Sequence, residues 1–578
     1  MGWALDPWIE ARLQEHLAVV YGPRSQGILE RLVGRLAAFA RSKTADVRRP
    51  PLSEQTGLLI TYADQVTEAG IAPLHTLAET LKGTVAGLIS HVHVLPFMPS
   101  SSDAGFSVMD FDRVDPAFGV WGDLRRLGHA FGLMADLVMN HVSAQGEWFQ
   151  RFRAGDPAYA NFFITVEEGT DLSTVVRPRA RPLLTPFETA TGRKLVWTTF
   201  SPDQVDLNYA NPEVFLRIVD VLLSLVGRGT SWVRLDAVAF VWKRIGTPCI
   251  HLEETHRIVK LLRAVLDAVA PAVLLVTETN VPHAENVSYF GDGTDEAQLV
   301  YQFPLPPLVL DAFLREEATD LVDWAGSFDP PPAGCTFLNF LASHDGIGLR
   351  PLEGLLGHAR VDALVAQTVA RGGRASYRDR GDGTQSPYEL NISLFDALSD
   401  PKGDEPLGRQ IDRFLTAQAI MLSLAGVPAI YVHSLFGSRS WIEGPEALGE
   451  NRAINREKLD RSRLLSALAD ETSLRARVFN GYKRLLRVRA AHPAFHPRSA
   501  QEILHAGSRV FAVQRGSKEE GRVLCLHNLS ASAQRIALPA NGGSAWTDLL
   551  SGERIPVGEE RESVLEPLQT RWLVRGAP

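Results

Sequence analysis

Four short segments place acidic, basic and imidazole side chains directly after runs of β-forming residues. They are Asp136-Leu137-Val138-Met139-Asn140-His141, Arg234-Leu235-Asp236-Ala237-Val238, Val276-Thr277-Glu278-Thr279-Asn280 and Ala342-Ser343-His344-Asp345-Gly346. Three of them carry an acid at the strand end: Asp236, Glu278 and Asp345. Two carboxyls about 5–5.5 Å apart can break a glycosidic bond with retention, one attacking the anomeric carbon and the other protonating the leaving oxygen. A third acid can grip sugar hydroxyls and favour a distorted ring. His141 and His344, beside these acids, suit donors to sugar hydroxyls. The rival use of an acid cluster is a metal site. The chain has no HExxH sequence and no EF-hand loop, and although Asn140-His141 could assist calcium, nothing in the pattern demands a metal.

Such acids work together only if the fold brings them to one rim. Short apolar runs at Leu58–Tyr62, His91–Leu95, Leu133–Val138, Trp232–Leu235, Val273–Thr277, Leu299–Phe303, Thr336–Leu341 and Ala429–Val432 read as strands. Helical patterns such as Asn211–Val226 and Thr255–Val269 lie between many of them. Eight strands alternating with helices predict a closed parallel (β/α)8 barrel, a TIM barrel of the α/β class, over a doubly wound sheet. In a barrel the C-terminal strand ends build the active site, and Asp236, Glu278 and Asp345 fall at the ends of the fourth, fifth and seventh strands.

The remaining segments arrange around that barrel. Residues 1–56 are helical in pattern, with Ile28, Leu29, Leu32, Val33, Leu36 and Ala37 at helical spacing, and end at Arg48-Arg49-Pro50-Pro51. They form an N-terminal helical extension. Barrel segments are expected at 57–139, 211–346 and 406–497, interrupted by two inserted lid subdomains at 140–210 and 347–405. The second insert holds Arg371-Gly372-Gly373-Arg374 and Asp379-Arg380-Gly381-Asp382-Gly383. From 498 to 578 strand patterns with Gly-rich turns predict a small C-terminal β-domain.

Composition narrows the partners. The 578 residues are 45% hydrophobic and 22% charged, which is a soluble globular composition. A net charge of −8 argues against nucleic acid, whose phosphates call for a basic surface. Cys249, Cys335 and Cys525 lack any zinc-like spacing and are odd in number, so a reducing cytoplasm is expected. The N-terminus opens Met1-Gly2-Trp3-Ala4-Leu5-Asp6 with no signal-peptide pattern. Phe414–Val432 reads as a buried helix and strand, so no membrane contact is expected. Oligomeric state is not fixed by the sequence.

The four segments, in this order, resemble the signature regions of the α-amylase superfamily, glycoside hydrolase family 13. That resemblance implies Asp236 as nucleophile, Glu278 as general acid/base and Asp345 as transition-state stabiliser. Arg234 would keep the nucleophile ionised by its charge. A finer resemblance is to the sucrose phosphorylase branch, through Thr61-Tyr62-Ala63-Asp64, Ser102-Asp103-Ala104-Gly105-Phe106, Arg177-Pro178-Arg179, Gln204-Val205-Asp206 and Asn451-Arg452-Ala453-Ile454-Asn455-Arg456. It implies that Asp103 and Arg452 clamp the far hydroxyls of a terminal glucose, that Phe106 is an apolar platform, and that Arg179 helps bind phosphate. The implied reaction uses inorganic phosphate as co-substrate, no cofactor and no metal, with a small α-glucoside as the other substrate. Gln204 also argues for phosphate over water.

The acceptor region departs from sucrose phosphorylases. Phe240 stands where they have Tyr, Asn280 where they have His and Glu389 where they have Gln, while Tyr388 is kept. With Trp197-Thr198-Thr199-Phe200, Thr277–His283 and Ser386-Pro387-Tyr388-Glu389, the chain resembles the glucosylglycerate phosphorylases more closely, across nearly its whole length. Glycerate is therefore the expected acceptor, with glycerol, fructose and sugar phosphates as alternatives and hydrolysis as the rival reaction. An acceptor carboxylate suits an Arg-bearing pocket. Arg371, Arg374, Arg378 and Arg380 cluster in the second insert, and Arg378 and Arg439 are two candidates for that contact between which the sequence does not choose.

Overall fold

The eight apolar runs form eight strands in the computed structural model, which describes residues 3–42, 51–179, 181–379, 384–538, 545–556 and 562–575. They are β1 (Leu58–Thr61), β2 (His91–Val94), β3 (Gly132–Val138), β4 (Thr230–Asp236), β5 (Leu274–Thr277), β6 (Leu299–Tyr301), β7 (Thr336–Asn339) and β8 (Val427–Tyr431). Each pairs in parallel with the next, and β8 returns to β1 through Leu58↔Ala429 and Ile60↔Tyr431. Side chains on both faces are buried, one set filling the barrel and the other meeting the outer helices, so the strands read as continuous apolar runs. At β6 and β7 the apolar run outlasts the ladder. Phe303 and Phe340 lie beyond the last paired residues and line the pocket at the rim.

Local signals set the helices between strands. Asn211 caps the helix Pro212–Gly227, its side chain accepting from the Glu213 N–H with Pro212 at the first turn. This helix and Glu253–Val269 lie outside the barrel and bury their apolar faces.

The N-terminal helices α1 (Pro7–Tyr21) and α2 (Ser25–Arg41) pack on these two. Leu13, Leu17, Leu32 and Leu36 are fully buried there, each contributing about 1.5–3 kcal/mol of apolar burial. Ion pairs fix the orientation: Arg12 with Asp267 at 2.9 Å, Arg35 with Asp220 at 3.0 Å and Arg257 with Glu15 at 3.1 Å. The expected segment end at Arg48-Arg49-Pro50 lies outside the described residues, as do Met1 and Gly2.

Both long connections follow C-terminal strand ends. After β3, His141–Ser143 pairs with Gln204–Asp206, and Gly192–Trp197 is the centre of a three-stranded sheet. After β7, the strands Ile347–Gly348, Gln385–Asn391 and Arg374–Asp379 form an antiparallel sheet beside the helix His358–Ala370. The Arg380-Gly381-Asp382-Gly383 segment lies outside the described residues. The C-terminal region holds a six-stranded sheet whose five pairings are all antiparallel, with Val523–Asn528 and Thr570–Arg575 at its centre. It is tied to the barrel by Arg515, which donates to the Ser423 carbonyl at 2.8 Å. The stretch Phe414–Val432 is the end of the helix Leu407–Ser423 followed by β8. Among the described residues no helix is long and apolar enough to cross a membrane.

Candidate active site

Alternation along the parallel strands stacks polar side chains inside the upper barrel. Side chains two apart share a strand face, so Arg234 and Asp236 of β4 both point inward. Arg234 is in register with Asp136 of β3 and its guanidinium contacts the Asp136 carboxylate. Asp136 also meets His93 Nε2 of β2 at 2.7 Å. Burial works to raise the Asp136 pKa, but His93 and Arg234 overcome it and hold this carboxyl below its ordinary value. The ionised Asp136 in turn keeps a buried arginine in place beneath the next layer.

That next layer is the carboxyl pair. Arg234 Nη1 donates to Asp236 Oδ1 at 2.8 Å, and its Nη2 lies 3.6 Å from Glu278 Oε2. Glu278 Oε2 also accepts the Ala237 N–H at 3.3 Å, made possible by the left-handed backbone of Ala237 (φ 49°). Such strain in a non-glycine residue is characteristic of functional turns. Burial pushes both carboxyls up to about 7, against the pull of Arg234. Both carboxyls reach the same guanidinium, and the charge of Asp236 opposes ionisation of Glu278. Asp236 has the shorter contact with Arg234, which favours the anion on Asp236 over Glu278.

Asp345 behaves differently. Burial would raise its pKa, but Arg452, His344 and Arg456 reverse this and hold it far below the ordinary carboxylate range. Arg452 contacts Asp345 directly and is itself gripped by Glu389, through Nε to Oε1 at 3.0 Å and Nη2 to Oε2 at 2.7 Å. The loop is pinned by Asn455, which donates to the Asp345 carbonyl at 2.9 Å, and by Arg456, which donates to the His344 carbonyl at 2.8 Å.

The opposite wall comes from the β2 loop. Asp103, Ala104 and Gly105 all have positive φ, and a Cβ on Gly105 would sit 2.6 Å from the Pro96 carbonyl oxygen. This tight turn aims Asp103 and Phe106 into the pocket. Gln204 Nε2 donates to Asp103 Oδ2 at 2.9 Å and lies 3.1 Å from His141 Nε2. The rings of Phe106 and His344 stack at 5.0 Å with 10° between planes. Burial lowers the His344 pKa to about 3, leaving a neutral imidazole.

One cavity thus collects Asp103, Phe106, His141, Arg179, Gln204, Arg234, Asp236, Glu278, His344, Asp345, Tyr388 and Arg452. Asp103 and Arg452 both face it but do not share a hydrogen bond: Asp103 is held by Gln204, and Arg452 by Glu389 and Asp345. The Asn140 oxygen, which the sequence offered to calcium, and the neighbouring Asp206 carboxylate are taken by an ammonium. Lys243 Nζ lies 2.7 Å from Asn140 Oδ1 and 2.5 Å from Asp206 Oδ2. Among the described residues no group of three His, Cys, Asp or Glu is placed to hold a metal.

The mouth of the cavity is where sequence reasoning fell short. Phe240, Asn280 and Glu389, the departures from sucrose phosphorylases, all line it. Arg179 lies over the Tyr388 ring at 5.6 Å and the Tyr388 hydroxyl accepts from Asn280 at 3.4 Å. The arginines expected near the acceptor are engaged elsewhere. Arg378 bonds Glu353 and Ser386, Arg374 pairs with Glu446, Arg371 donates to the Ala397 carbonyl and Arg439 pairs with Asp396. Arg380 lies outside the described residues. Besides Arg179, Arg234 and Arg452, the cavity is lined by Arg350. Its only sequence signal is a position two residues beyond His344-Asp345-Gly346-Ile347-Gly348.

This geometry has counterparts in known proteins. Residues 87–325 match the family described as alpha amylase, catalytic domain. A glucosylglycerate phosphorylase of Allomeiothermus silvanus is 50% identical over 571 residues, covering 99% of this chain and 100% of the relative. The chain belongs to the glucosylglycerate phosphorylase family, within glycoside hydrolase family 13. A family member of Escherichia coli is 43% identical over 98% of this chain and all of its own length. Among solved structures, a sucrose 6F-phosphate phosphorylase from Thermoanaerobacter thermosaccharolyticum superposes with a TM-score of 0.71 at 25% identity, covering 82% of this chain and 94% of that one. Membership accounts for the N-terminal helices as part of the family's full length, since the A. silvanus relative aligns along its entire chain.

Proposed function

We propose that this protein is a retaining phosphorylase that reversibly converts 2-O-α-glucosyl-glycerate and phosphate into α-glucose 1-phosphate and glycerate. Asp236 attacks the anomeric carbon as Glu278 gives its proton to the departing glycerate oxygen. The C–O bond to glycerate breaks and a β-glucosyl ester to Asp236 forms. Phosphate then attacks that carbon from the face glycerate left, Glu278 takes up the phosphate proton, and the ester bond breaks. Two inversions give net retention. Asp345, held ionised by Arg452, binds ring hydroxyls and favours the oxocarbenium-like transition state. Phe106 supports the apolar face of the glucose, while Asp103, His141 and His344 bind its hydroxyls.

The observation that carries the reading is Arg179 in the same cavity as the Asp236–Glu278 pair. A guanidinium there gives a phosphate dianion two parallel hydrogen bonds, an advantage water cannot share. The relatives at 43–50% identity support glycerate as acceptor. The inserts at 140–210 and 347–405 act as lids, contributing Arg179 and Gln204 from one and Tyr388 and Glu389 from the other. A cytoplasmic location accords with three buried cysteines that form no disulfide.

The test is phosphate release from α-glucose 1-phosphate with D-glycerate, L-glycerate, glycerol, fructose, fructose 6-phosphate or water alone. Rapid release that depends on D-glycerate is the expected result. A preference for glycerol or fructose would keep the mechanism and replace the acceptor. Equal release with water alone would make the enzyme a hydrolase.

A further inference from the structure

Four guanidiniums face the cavity, and they fall into two classes. Arg234 and Arg452 are each matched to carboxylates, as described above. Arg179 and Arg350 are not. Arg350 stands in the short turn Arg350–Leu352 directly after the strand Ile347–Gly348. Its side chain is 11% exposed, and the nearest carboxylate oxygen, Glu285 Oε2, is 3.8 Å away, beyond hydrogen-bonding range. Its Nε is buried with no hydrogen-bond partner among the described residues. Burial and the neighbouring charge of Arg378 work against its protonated form and lower its pKa, because Glu285 and Glu353 only partly offset them. A buried guanidinium with one loose ion pair and an unbonded Nε is a costly arrangement that an anionic ligand would complete.

The turn that carries Arg350 is held firmly at the acceptor side. Leu349 N–H donates to the Tyr388 carbonyl at 2.9 Å, and a Cβ on Gly348 would meet the Asn280 amide at 2.8 Å. The backbone therefore lies flush against Asn280, whose amide bonds the Tyr388 hydroxyl. This places the turn of Arg350 beside Asn280, which departs from the sucrose phosphorylases, and Tyr388, which they share.

We infer that Arg350 is a specificity-determining residue that binds the carboxylate of the acceptor, leaving Arg179 to bind phosphate. The inference rests on the reading of the chain as a phosphorylase with a carboxylate-bearing acceptor. A neutral acceptor such as glycerol gives Arg350 no counter-charge, so the residue discriminates by leaving its own buried charge unmatched.

The experiment compares wild type, Arg350→Gln and Arg350→Lys in phosphate release from α-glucose 1-phosphate, with D-glycerate or glycerol as acceptor. The expected result is a KM for D-glycerate raised about 10- to 100-fold in Arg350→Gln, the value of a lost charged hydrogen bond. Arg350→Lys, which keeps the charge, should fall between the two, and the ratio of glycerate to glycerol use should drop in that order. Equal losses on both acceptors, or a fall in kcat at fixed KM, would overturn the inference. So would a raised KM for phosphate in the cleavage direction with acceptor preference intact, which would assign Arg350 to phosphate. If Arg350→Gln does not fold, Arg350→Lys decides alone, an unchanged acceptor ratio counting against the inference. A wild-type enzyme that does not prefer glycerate would instead bring down the functional reading, and this inference with it.

Discussion

Arg452 donates two hydrogen bonds to Glu389, at 3.0 and 2.7 Å, while its remaining nitrogen holds Asp345. The second insert thereby fixes an acid of the seventh strand through an arginine that follows the eighth. Glu389 is almost fully buried and both its carboxylate oxygens bond Arg452, so each side chain holds the other in place.

Glu389→Gln should therefore act on both stability and turnover. Losing one charged acceptor costs about 1–3 kcal/mol, read as a lower Tm. The loosened Arg452 lets Asp345 drift, and kcat/KM should fall about 10- to 100-fold. Arg452→Ala should be worse, with about 3–5 kcal/mol lost because two buried carboxylates lose their cation. An unchanged Tm in both variants would contradict the shared-guanidinium arrangement.

The Asp236–Glu278 pair sets the pH response. Turnover needs one proton on the pair, so kcat/KM for α-glucose 1-phosphate should be bell-shaped around pH 7. Its acid limb reports protonation of Asp236 and its basic limb ionisation of Glu278, with apparent values that belong to the pair. A profile flat from pH 5 to 9 would exclude this sharing.

Removing the nucleophile separates activity from stability. Asp236→Asn should lower kcat by at least about 10⁴-fold. Both carboxyls are raised from ordinary values near 4 to about 7, so between those pH values the native state binds more protons than the unfolded one. Their contribution to stability therefore declines as pH rises through that window. Asp236→Asn removes part of this decline, and its Tm relative to wild type should increase from pH 5 to pH 8. Parallel Tm curves would show that Asp236 titrates alike in both states.

Arg179→Ala tests the phosphate assignment. The KM for phosphate should rise about 10- to 100-fold, and the share of glucosyl-enzyme lost to water should grow. The readout is the ratio of free glucose to α-glucose 1-phosphate during cleavage of glucosylglycerate. A constant ratio would remove Arg179 from phosphate binding.

Lys243 occupies the place between Asn140 and Asp206 where an external cation could otherwise sit. Incubation with EDTA should leave Tm and activity of the wild-type protein unchanged. Lys243→Met should lower stability by about 3–5 kcal/mol, because the fully buried Asp206 loses its cation. A chelator-sensitive wild type would show that the ammonium does not do this work.

Much of the molecule was legible from residue pattern. All eight barrel strands lie at the apolar runs read from sequence, because a strand buried on both faces is mainly apolar over its three to seven residues, with polar side chains such as Asp136 and Arg234 admitted where they pair. Asn211-Pro212 announced its helix by the chemistry of the cap itself. Asp236 ends β4 and Glu278 directly follows β5, whereas Asp345 lies in the loop six residues beyond β7 rather than at the strand end expected from sequence; all three converge because every parallel strand delivers its C-terminal end to the same rim. Which arginine faces the acceptor was not legible, because the positions of Arg371, Arg374 and Arg378 inside the second insert and of Arg439 beyond it say nothing about which way a long side chain turns.

The sequence by itself determined the barrel, the convergence of Asp236, Glu278 and Asp345 and the family to which their surroundings belong. Those follow from local periodicity and short motifs, which act over a few residues. Only the tertiary structure decided how the charges are paired: Asp345 and Glu389 on Arg452, Lys243 between Asn140 and Asp206, and Arg350 left without a carboxylate in hydrogen-bonding range. Pairing depends on distances of a few ångströms between side chains brought together from loops far apart in the chain, and burial makes each such distance decisive for which group is charged.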